Sequence, residues 1–315
     1  MSEFYRDVKA GLLAPLKSLP SKYFYDKIGD HLFQRLMHSD EYYLSRCELS
    51  ILKTQSGDMS KIVAGHFREL DLVELGAGDA SKSVYLIRSL QEVGLDFNYY
   101  PIDISQNVIN HLHKKFAETI PSLKIHGLNG DYLKMLGEQR SISRKPLLIL
   151  FLGSNVGNMN RPQALDFCRQ VNQFMQKGDL FLIGVDLKKN PHTILGAYND
   201  QEGLTKAFNL NLLTRINMEL GANFNIDKYM HFPLYDPVSG ECRSYLVSTI
   251  DQIVSVGKKS EQFQVHFKAY EPIHMEVSKK YDISELNALA KDSGFKSTKH
   301  FFDNKKYFVD SLWQK

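Results

Sequence analysis

Residues 70–81 read Leu-Asp-Leu-Val-Glu-Leu-Gly-Ala-Gly-Asp-Ala-Ser, and this stretch decides the fold class. Its apolar half, Leu70–Leu75, has the length of a buried β-strand, and Gly76-Ala-Gly78 follows as a turn. Residues 82–91 then carry apolar side chains at helical spacing. The order of strand, glycine turn and helix predicts the start of an α/β sheet. At the two glycines the backbone can approach a ligand closely.

The same alternation continues after this stretch. The sequence predicts strands at 96–103, 123–127, 146–152 and 179–186, and helices at 105–119 and 163–176. Alternating strands and helices form a mostly parallel, doubly wound sheet, which binds ligands outside the carboxyl ends of its strands. A helix at 283–293 and strands at 295–303 and 306–312 are predicted to complete this fold.

The alternation stops at Pro191. A helix at 207–220 and antiparallel strands at 229–232, 241–251 and 263–267 predict a second domain. We therefore expect a Rossmann-like α/β domain from residues 61–189 plus 279–315. A smaller α+β domain that binds the substrate is expected from residues 1–60 plus 190–278.

Composition excludes several classes of protein. The chain has 315 residues, 43% of them hydrophobic, and a net charge of +3, which is too small to indicate nucleic-acid binding. No apolar stretch reaches membrane-spanning length, and the first residues lack the apolar core of a signal peptide. Cys47, Cys168 and Cys242 show neither a disulfide framework nor zinc-ligand spacing. We expect a cytoplasmic protein without a metal site. Its other scattered candidate ligands, which we predict to be structural, are His231, His266 and His274.

The glycine loop also discriminates between cofactors. A dinucleotide fingerprint needs a third glycine at position 81, which here is serine, so an NAD- or FAD-dependent dehydrogenase is disfavoured. An acidic residue before Gly-x-Gly instead resembles the pattern of methyltransferases that use S-adenosylmethionine (AdoMet). In those proteins an acid after the second strand binds the ribose, and another after the third strand lies near the adenine. Asp103 and Asp131 occupy these two places.

Six separated motifs resemble, in order, the L-histidine Nα-methyltransferases of ergothioneine biosynthesis. The motifs are Leu19–Asp26 with Leu32-Phe33, Glu41–Arg46, Phe151–Asn158, Ala197–Asp200, Gly203–Thr205 with Phe208-Asn209 and Asn211, and Glu276–Tyr281. The resemblance implies methylation of the α-amino group of L-histidine to the trimethylated betaine, with AdoMet as cofactor. We expect a monomer that acts on a small-molecule amino acid, without nucleic-acid or membrane partners.

The resemblance assigns roles residue by residue. The residues implied to bind AdoMet are Tyr42, Gly76, Lys82, Asp103, Asp131 and Tyr132. Asn158 and Tyr198 would hold the carboxylate and amine of the amino acid, which makes them the candidate catalytic residues. Glu276 and Ser278 would bind the imidazole, with Tyr25 and Phe33 near the ring. Because these residues come from both predicted domains, we expect the active site between them.

One departure from the family concerns the substrate ring. Ser244 falls where histidine-methylating relatives carry an apolar methionine against the imidazole, so Ser244 is a further candidate substrate residue. Two alternatives to histidine methylation therefore stay open. One is methylation of another aromatic amino acid or amine, such as an indole-bearing one. The other is a catalytically silent protein that keeps the AdoMet fold.

Overall fold

The computed structural model describes residues 2–258 and 261–315. The chain divides into two compact units. We refer to Leu44–Lys188 with Lys280–Lys315 as the Rossmann-like unit, and to Met1–Tyr43 with Lys189–Lys279 as the second unit. Among the described residues, none of the helices has the length and hydropathy that crossing a membrane requires.

Helices and strands alternate through most of the described chain. The α-helices are α1 (Glu3–Leu13), α2 (Lys27–His38), α3 (Tyr43–His66), α4 (Ser83–Glu92), α5 (Gln106–Thr119), α6 (Tyr132–Ile142), α7 (Arg161–Phe174), α8 (Pro191–Ala197), α9 (Leu204–Leu220) and α10 (Ile283–Asp292). The strands are β1 (Glu69–Leu75), β2 (Asp96–Asp103), β3 (Lys124–Ile125), β4 (Leu128–Asn129), β5 (Leu147–Phe151), β6 (Leu180–Asp186), β7 (Tyr229–Asp236), β8 (Glu241–Ser248), β9 (Gln252–Val256), β10 (Phe263–Phe267), β11 (Pro272–Lys279), β12 (Lys296–Phe302) and β13 (Phe308–Gln314).

One sheet organises the Rossmann-like unit, in the order β12-β13-β6-β5-β1-β2-β3, with β4 also paired to β2. The pairs among β1, β2, β5 and β6 are parallel, whereas β13 runs antiparallel to β6 and β12 antiparallel to β13. The predicted doubly wound, mostly parallel sheet is therefore confirmed. The chain goes from β1 outward to β2 on one side and later returns to β5 on the other. The loops after β1 and β5 thus flank a topological switch point, where such sheets bind ligands.

Burial of the strands and capping of the helices account for the secondary structure of the Rossmann-like unit. All residues of β5 and β6 are buried, as expected for strands covered on both faces. Ser105 caps α5 as predicted, and Asn160 forms a capping box with Gln163 that starts α7 before the predicted residue 163. The predicted third strand at 123–127 is shorter in the structure, where β3 spans Lys124–Ile125 and the separate strand β4 follows at Leu128–Asn129. Between them, the His126 amide still donates to the Tyr99 carbonyl of β2 at 2.8 Å.

The second unit combines helices with two antiparallel sheets. A three-stranded sheet has the order β11-β8-β7, and β9 pairs with β10. The predicted strand at 229–232 continues to Asp236 through Pro233, because a proline is tolerated on an edge strand. The predicted strand at 241–251 stops at Ser248, and β9 begins a new pairing. The expected smaller α+β domain is confirmed in type, with β11 as an additional strand.

Residues 44–60 belong to a different unit from the one the sequence predicts. The compact units part after Tyr43, because α3 is one continuous helix that packs on the Rossmann-like unit. Gln55 donates to the Phe302 carbonyl at 2.8 Å, and the Ser60 hydroxyl lies 2.8 Å from that of Ser89. Burial of the α3 side chains in that unit, and not their place in the sequence, decides where this segment belongs.

Candidate active site

The loop after β1 turns at glycines with left-handed backbone angles. Gly76 and Gly78 have φ values of 76° and 53°, which residues with side chains rarely adopt. The Gly76 amide donates to the Ile102 carbonyl at 2.8 Å, which ties the turn to the end of β2. Ala80 also has a positive φ, of 50°.

Asp103, the last residue of β2, reaches this glycine loop. Its Oδ2 accepts the Gly78 amide at 3.2 Å, and its Oδ1 accepts the Ser105 amide at 2.9 Å. Burial raises the pKa of the Asp103 carboxyl, while the two amide donors act in the opposite direction. Since each carboxylate oxygen has two lone pairs, Asp103 can accept further hydrogen bonds from a ligand.

Asp131 and Tyr132 lie at the start of α6. The Asp131 carboxylate caps this helix by accepting the amides of Leu133 and Lys134 at 3.0 and 3.2 Å. The Tyr132 hydroxyl lies over Gly76, where an added Cβ would be 2.8 Å from it. Burial raises the pKa of Tyr132 to about 12, with Asp103 and Asp131 acting in the same direction. The fold therefore brings Tyr132 to the glycine loop.

Lys82, at the start of α4, forms an ion pair with Glu48 of α3. Glu48 is fully buried, whereas the Lys82 side chain keeps 23% of its surface exposed. The other oxygen of Glu48 accepts the Gly153 amide at 2.7 Å, so one carboxylate joins the loops after β1 and β5. Sequence reasoning missed Glu48. The available signal was an acidic residue within the apolar stripe that contains Leu44 and Ile51.

These residues fit AdoMet as the sequence suggests. A Cβ added to Gly78 would meet no atom within 4 Å, so the backbone of this loop borders open space. Asp103 offers carboxylate oxygens beside that space, as hydrogen-bonding to ribose hydroxyls requires. Lys82 offers a cation that remains partly exposed, and the carboxylate of AdoMet is the group it suits.

Asn158 lies in the Rossmann-like unit, in the loop that leaves β5. It ends the short 3₁₀ helix Asn155–Asn158, and its side chain is exposed. The chain enters this helix through Ser154, which has a φ of 59°. The Ser154 hydroxyl accepts the Asp186 amide at 3.0 Å, so the loop that carries Asn158 is tied to the end of β6.

The second unit brings together polar side chains on one face of its three-stranded sheet. Glu276 of β11 lies directly opposite Ser244 of β8, which places both side chains on the same face. The Tyr198 hydroxyl donates to the Ser278 hydroxyl at 2.7 Å, and Ser244, Ser278 and Tyr198 are all buried. A β-bulge between His274 and Glu276 shifts the register and turns Glu276 to this face.

Aromatic rings form a second cluster in the same unit. The Tyr25 ring lies 5.5 Å from Phe33 and 5.6 Å from Phe208, and Phe33 lies 6.2 Å from Tyr42. Tyr42, which the resemblance assigns to AdoMet, therefore belongs to this cluster within the second unit. Phe208 belongs to one of the six motifs, and its ring contacts with Tyr25 and Phe33 add it to the candidate site.

The structural role of His231, His266 and His274 remains a prediction. Burial lowers the pKa of His231 to about 4, which keeps its ring neutral. The His274 ring contacts Tyr245 at 5.5 Å between centroids. Within residues 2–258 and 261–315, no three or more His, Cys, Asp or Glu side chains are grouped as a metal site requires.

The chain is similar to known methyltransferases along nearly its whole length. The sequence model of a family described as histidine-specific methyltransferase, SAM-dependent, matches residues 4–315. The histidine N-alpha-methyltransferase of Mycolicibacterium smegmatis is 33% identical over 298 residues, covering 95% of this chain and 90% of that protein. Ergothioneine biosynthesis protein 1 of Neurospora crassa is 29% identical over 305 residues, covering 94% of this chain and 33% of that protein.

The solved structure of magnesium protoporphyrin IX methyltransferase from Synechocystis PCC 6803 with bound SAM covers 93% of each chain, at 9% identity and a TM-score of 0.47. The family match spans residues of both compact units.

Proposed function

Because the chain belongs to the family of SAM-dependent, histidine-specific methyltransferases, we propose that it methylates the α-amino group of L-histidine, to the trimethylated betaine. In this proposal the Rossmann-like unit binds AdoMet and the second unit binds the amino acid. The similarity to histidine N-alpha-methyltransferase and to ergothioneine biosynthesis protein 1 supports a role in the formation of ergothioneine.

The observation that supports histidine most directly is the polar cluster of the second unit. An imidazole presents one N–H donor and one lone pair. Glu276 can accept the N–H, and the Ser278 hydroxyl, which accepts a hydrogen bond from Tyr198, can donate to the other ring nitrogen. Ser244, opposite Glu276, adds a further hydroxyl where the resembled family has an apolar side chain. Tyr25 and Phe33 supply the aromatic neighbours of the ring.

Methyl transfer requires a neutral amine that is held in line with the methyl donor. Bound AdoMet supplies an electrophilic methyl group on a sulfonium. Asn158 and Tyr198 offer an amide and a phenol, which can position the amine without adding a charge that would oppose its attack. Positioning of this kind supplies a large part of catalytic acceleration. Aromatic faces such as those of Tyr25 and Tyr42 can stabilise the cationic product through cation–π attraction.

The proposed AdoMet residues divide by the part of the cofactor that they suit. Gly76 allows close approach of the backbone, and Asp103 accepts the ribose hydroxyls. Asp131 and Tyr132 serve the adenine end, and Lys82 serves the carboxylate. Tyr42 remains a proposed contact from the second unit.

We also propose that the protein works in the cytoplasm as a monomer, with a small amino acid as its partner. The absence of a disulfide framework in the sequence supports the proposed compartment, and the net charge of +3 agrees with a partner that is not a nucleic acid. Neither nucleic acid nor a membrane is needed for the proposed reaction.

A panel of amino acids tests the proposal. Purified protein is incubated with AdoMet and each candidate in turn, and S-adenosylhomocysteine and product mass are measured. We expect histidine to give the largest kcat/KM and a product with three added methyl groups. Turnover of an indole-bearing or other aromatic amino acid in place of histidine would support methyltransferase activity but reject histidine as the substrate. Binding of AdoMet without turnover of any amine would favour the silent protein.

A further inference from the structure

We infer that Glu48 is a positioning residue for cofactor binding, because its buried carboxylate holds the Lys82 ammonium and the Gly153 amide beside the switch point of the sheet. The inference rests on the proposed function, since it uses the AdoMet role of Lys82. Glu48 lies two residues beyond the motif Glu41–Arg46.

Glu48 uses both of its oxygens on loops of the candidate cofactor site. Oε2 accepts from the Lys82 ammonium, and Oε1 accepts the Gly153 amide at 2.7 Å. Lys82 follows β1, Gly153 follows β5, and these two strands are neighbours in the sheet. One side chain from α3 therefore fixes the two loops relative to each other.

The middle of β6 leaves space for this carboxylate. A Cβ added to Gly184 would collide with Glu48 Oε1, and it would lie 3.1 Å from Asp310 Oδ1. The backbone of Gly184 does not have a positive φ, so its conformation does not require glycine. Space for Glu48 is the physical reason for glycine at this position.

The charges of the cluster keep Lys82 ionised. Lys82 is faced by Glu48 from α3, Asp310 from β13 and Glu74 from β1, and these carboxyl groups raise its pKa against the opposing effect of burial. Burial raises the pKa of Asp310 well above its ordinary value, and the neighbouring charge of Glu48 adds to this effect. Glu48 is the carboxylate that forms the ion pair with Lys82.

The pair orients Lys82 toward a ligand. Glu48 is completely enclosed, while 23% of the Lys82 side chain stays accessible. The ammonium has three donors, so it can bind Glu48 and a second anion at the same time. AdoMet carries a single anionic group, the carboxylate of its methionine part. With Glu48 intact, the ammonium is held ready for that carboxylate.

Two ligands separate positioning from general stability. S-adenosylhomocysteine carries the amino-acid carboxylate, whereas 5′-methylthioadenosine has the adenosine part and lacks the carboxylate. Affinities for both are measured by calorimetry on the full-length protein, with melting temperatures as a check of folding. The variants are Glu48→Gln, Gly184→Ala, Glu48→Ala and the double variant Glu48→Ala/Gly184→Ala. Glu69→Gln is the matched control, because Glu69 forms an exposed pair with Lys145 in the same unit.

Glu48→Gln is expected to weaken binding of S-adenosylhomocysteine about tenfold or more, as for loss of a charged hydrogen-bond partner. Its affinity for 5′-methylthioadenosine should stay within about twofold of wild type. Gly184→Ala should also weaken binding of S-adenosylhomocysteine, because the added methyl group displaces the Glu48 carboxylate. In the Glu48→Ala background, Gly184→Ala should weaken this binding little further, since the two changes act through the same contact. Glu69→Gln should change neither affinity.

Each outcome decides the inference. Equal losses for both ligands in Glu48→Gln would show a purely structural role and overturn it, and so would unchanged binding of S-adenosylhomocysteine. If Glu48→Gln does not fold, the affinities of Gly184→Ala and of the double variant for the two ligands test the inference instead. Failure of the wild-type protein to bind S-adenosylhomocysteine would instead reject the proposed function, and the inference with it.

Discussion

Glu74 lies at the end of β1, two residues before Gly76, and its carboxyl accepts a hydrogen bond from the Tyr99 hydroxyl. Burial raises its pKa from 4.5 to about 7, although the hydrogen bond from Tyr99 and the charge of Lys82 act in the opposite direction. The folded protein therefore holds this proton more tightly than the unfolded chain does. The resulting stabilisation is complete below pH 4.5 and is lost as the pH rises through about 7.

Glu74→Gln should remove this pH dependence. The amide keeps an acceptor for Tyr99 and carries no charge, so the variant gains stability relative to wild type as the pH rises. From pH 5 to pH 8 the gain should be about 2–3 kcal/mol in the free energy of unfolding. Denaturant titrations of both proteins at the two pH values measure it. Asp103 and Asp310 contribute equally to the pH dependence of both proteins. If the difference in free energy of unfolding between the variant and wild type is the same at pH 5 and pH 8, the interpretation of Glu74 is refuted.

Glu276→Ala should reduce kcat/KM for histidine about 10- to 100-fold, because the proposed substrate loses a charged hydrogen-bond partner. Affinity for S-adenosylhomocysteine should not change, and turnover of phenylalanine or tryptophan should fall less than turnover of histidine. Glu219→Ala is the control, since Glu219 is a more exposed carboxylate of the same unit, paired with Arg215. Steady-state assays with the three amino acids measure the effect. Equal histidine turnover in both variants would remove Glu276 from the substrate site.

At the residue scale, sequence patterns identify groups whose chemistry is tied to a local motif. Gly76 and Asp103 could be predicted because Gly76 follows a strand of a parallel sheet and Asp103 ends the next one. Glu48 could not, since its partners Lys82 and Gly153 are distant in sequence and only burial gives its charge a role. Helical periodicity marks position 48 as inward-facing, but it does not show what a carboxylate would meet there.

At the element scale, helix α6 begins where the adenine end of the cofactor is proposed to bind. Asp131 serves as its N-cap, so one carboxylate has both a structural and a proposed binding role. Changes at this position can separate the two roles, because asparagine caps helices about as well as aspartate whereas alanine does not.

Asp131→Ala should lower the free energy of unfolding by about 1 kcal/mol through loss of the cap. Asp131→Asn should keep the stability near that of wild type and weaken binding of S-adenosylhomocysteine, because the carboxylate charge is lost. Denaturant titration measures the first effect and calorimetry measures the second. If Asp131→Asn binds as tightly as wild type, Asp131 is a helix cap only.

A helix or strand could be predicted from the sequence when the pattern that determines it is local in the chain. The strands of the parallel sheet were predictable because burial on both faces produces continuous apolar runs, as in β5. Strand β11 was not predicted, because its bulge after His274 breaks the alternation of side chains. That bulge also decides which face Glu276 takes, so the sequence alone could assign Glu276 a role only by resemblance.

At the scale of the whole molecule, cofactor choice affects the stability of the native state. A ligand that binds only the folded protein stabilises it by about 3 kcal/mol at one hundred times its Kd. Since Ser81 replaces the third glycine of a dinucleotide fingerprint, AdoMet and not NAD should have this effect.

Thermal denaturation with each ligand checks this expectation. S-adenosylhomocysteine and AdoMet should raise the melting temperature by several degrees, and NAD should leave it unchanged. Asp103→Ala should reduce the shift caused by S-adenosylhomocysteine, because the acceptor proposed for the ribose is removed. A shift with NAD alone would contradict the assignment of the cofactor.

The identity of the methylated nitrogen tests the central claim most directly. The protein is incubated with histidine and AdoMet that carries a ¹³C-labelled methyl group, and the product is examined by NMR. We predict one signal from three equivalent methyl groups bonded to the α-nitrogen, with the imidazole unmodified. A methyl group on an imidazole nitrogen, or no label in histidine while another amine is labelled, would contradict the account.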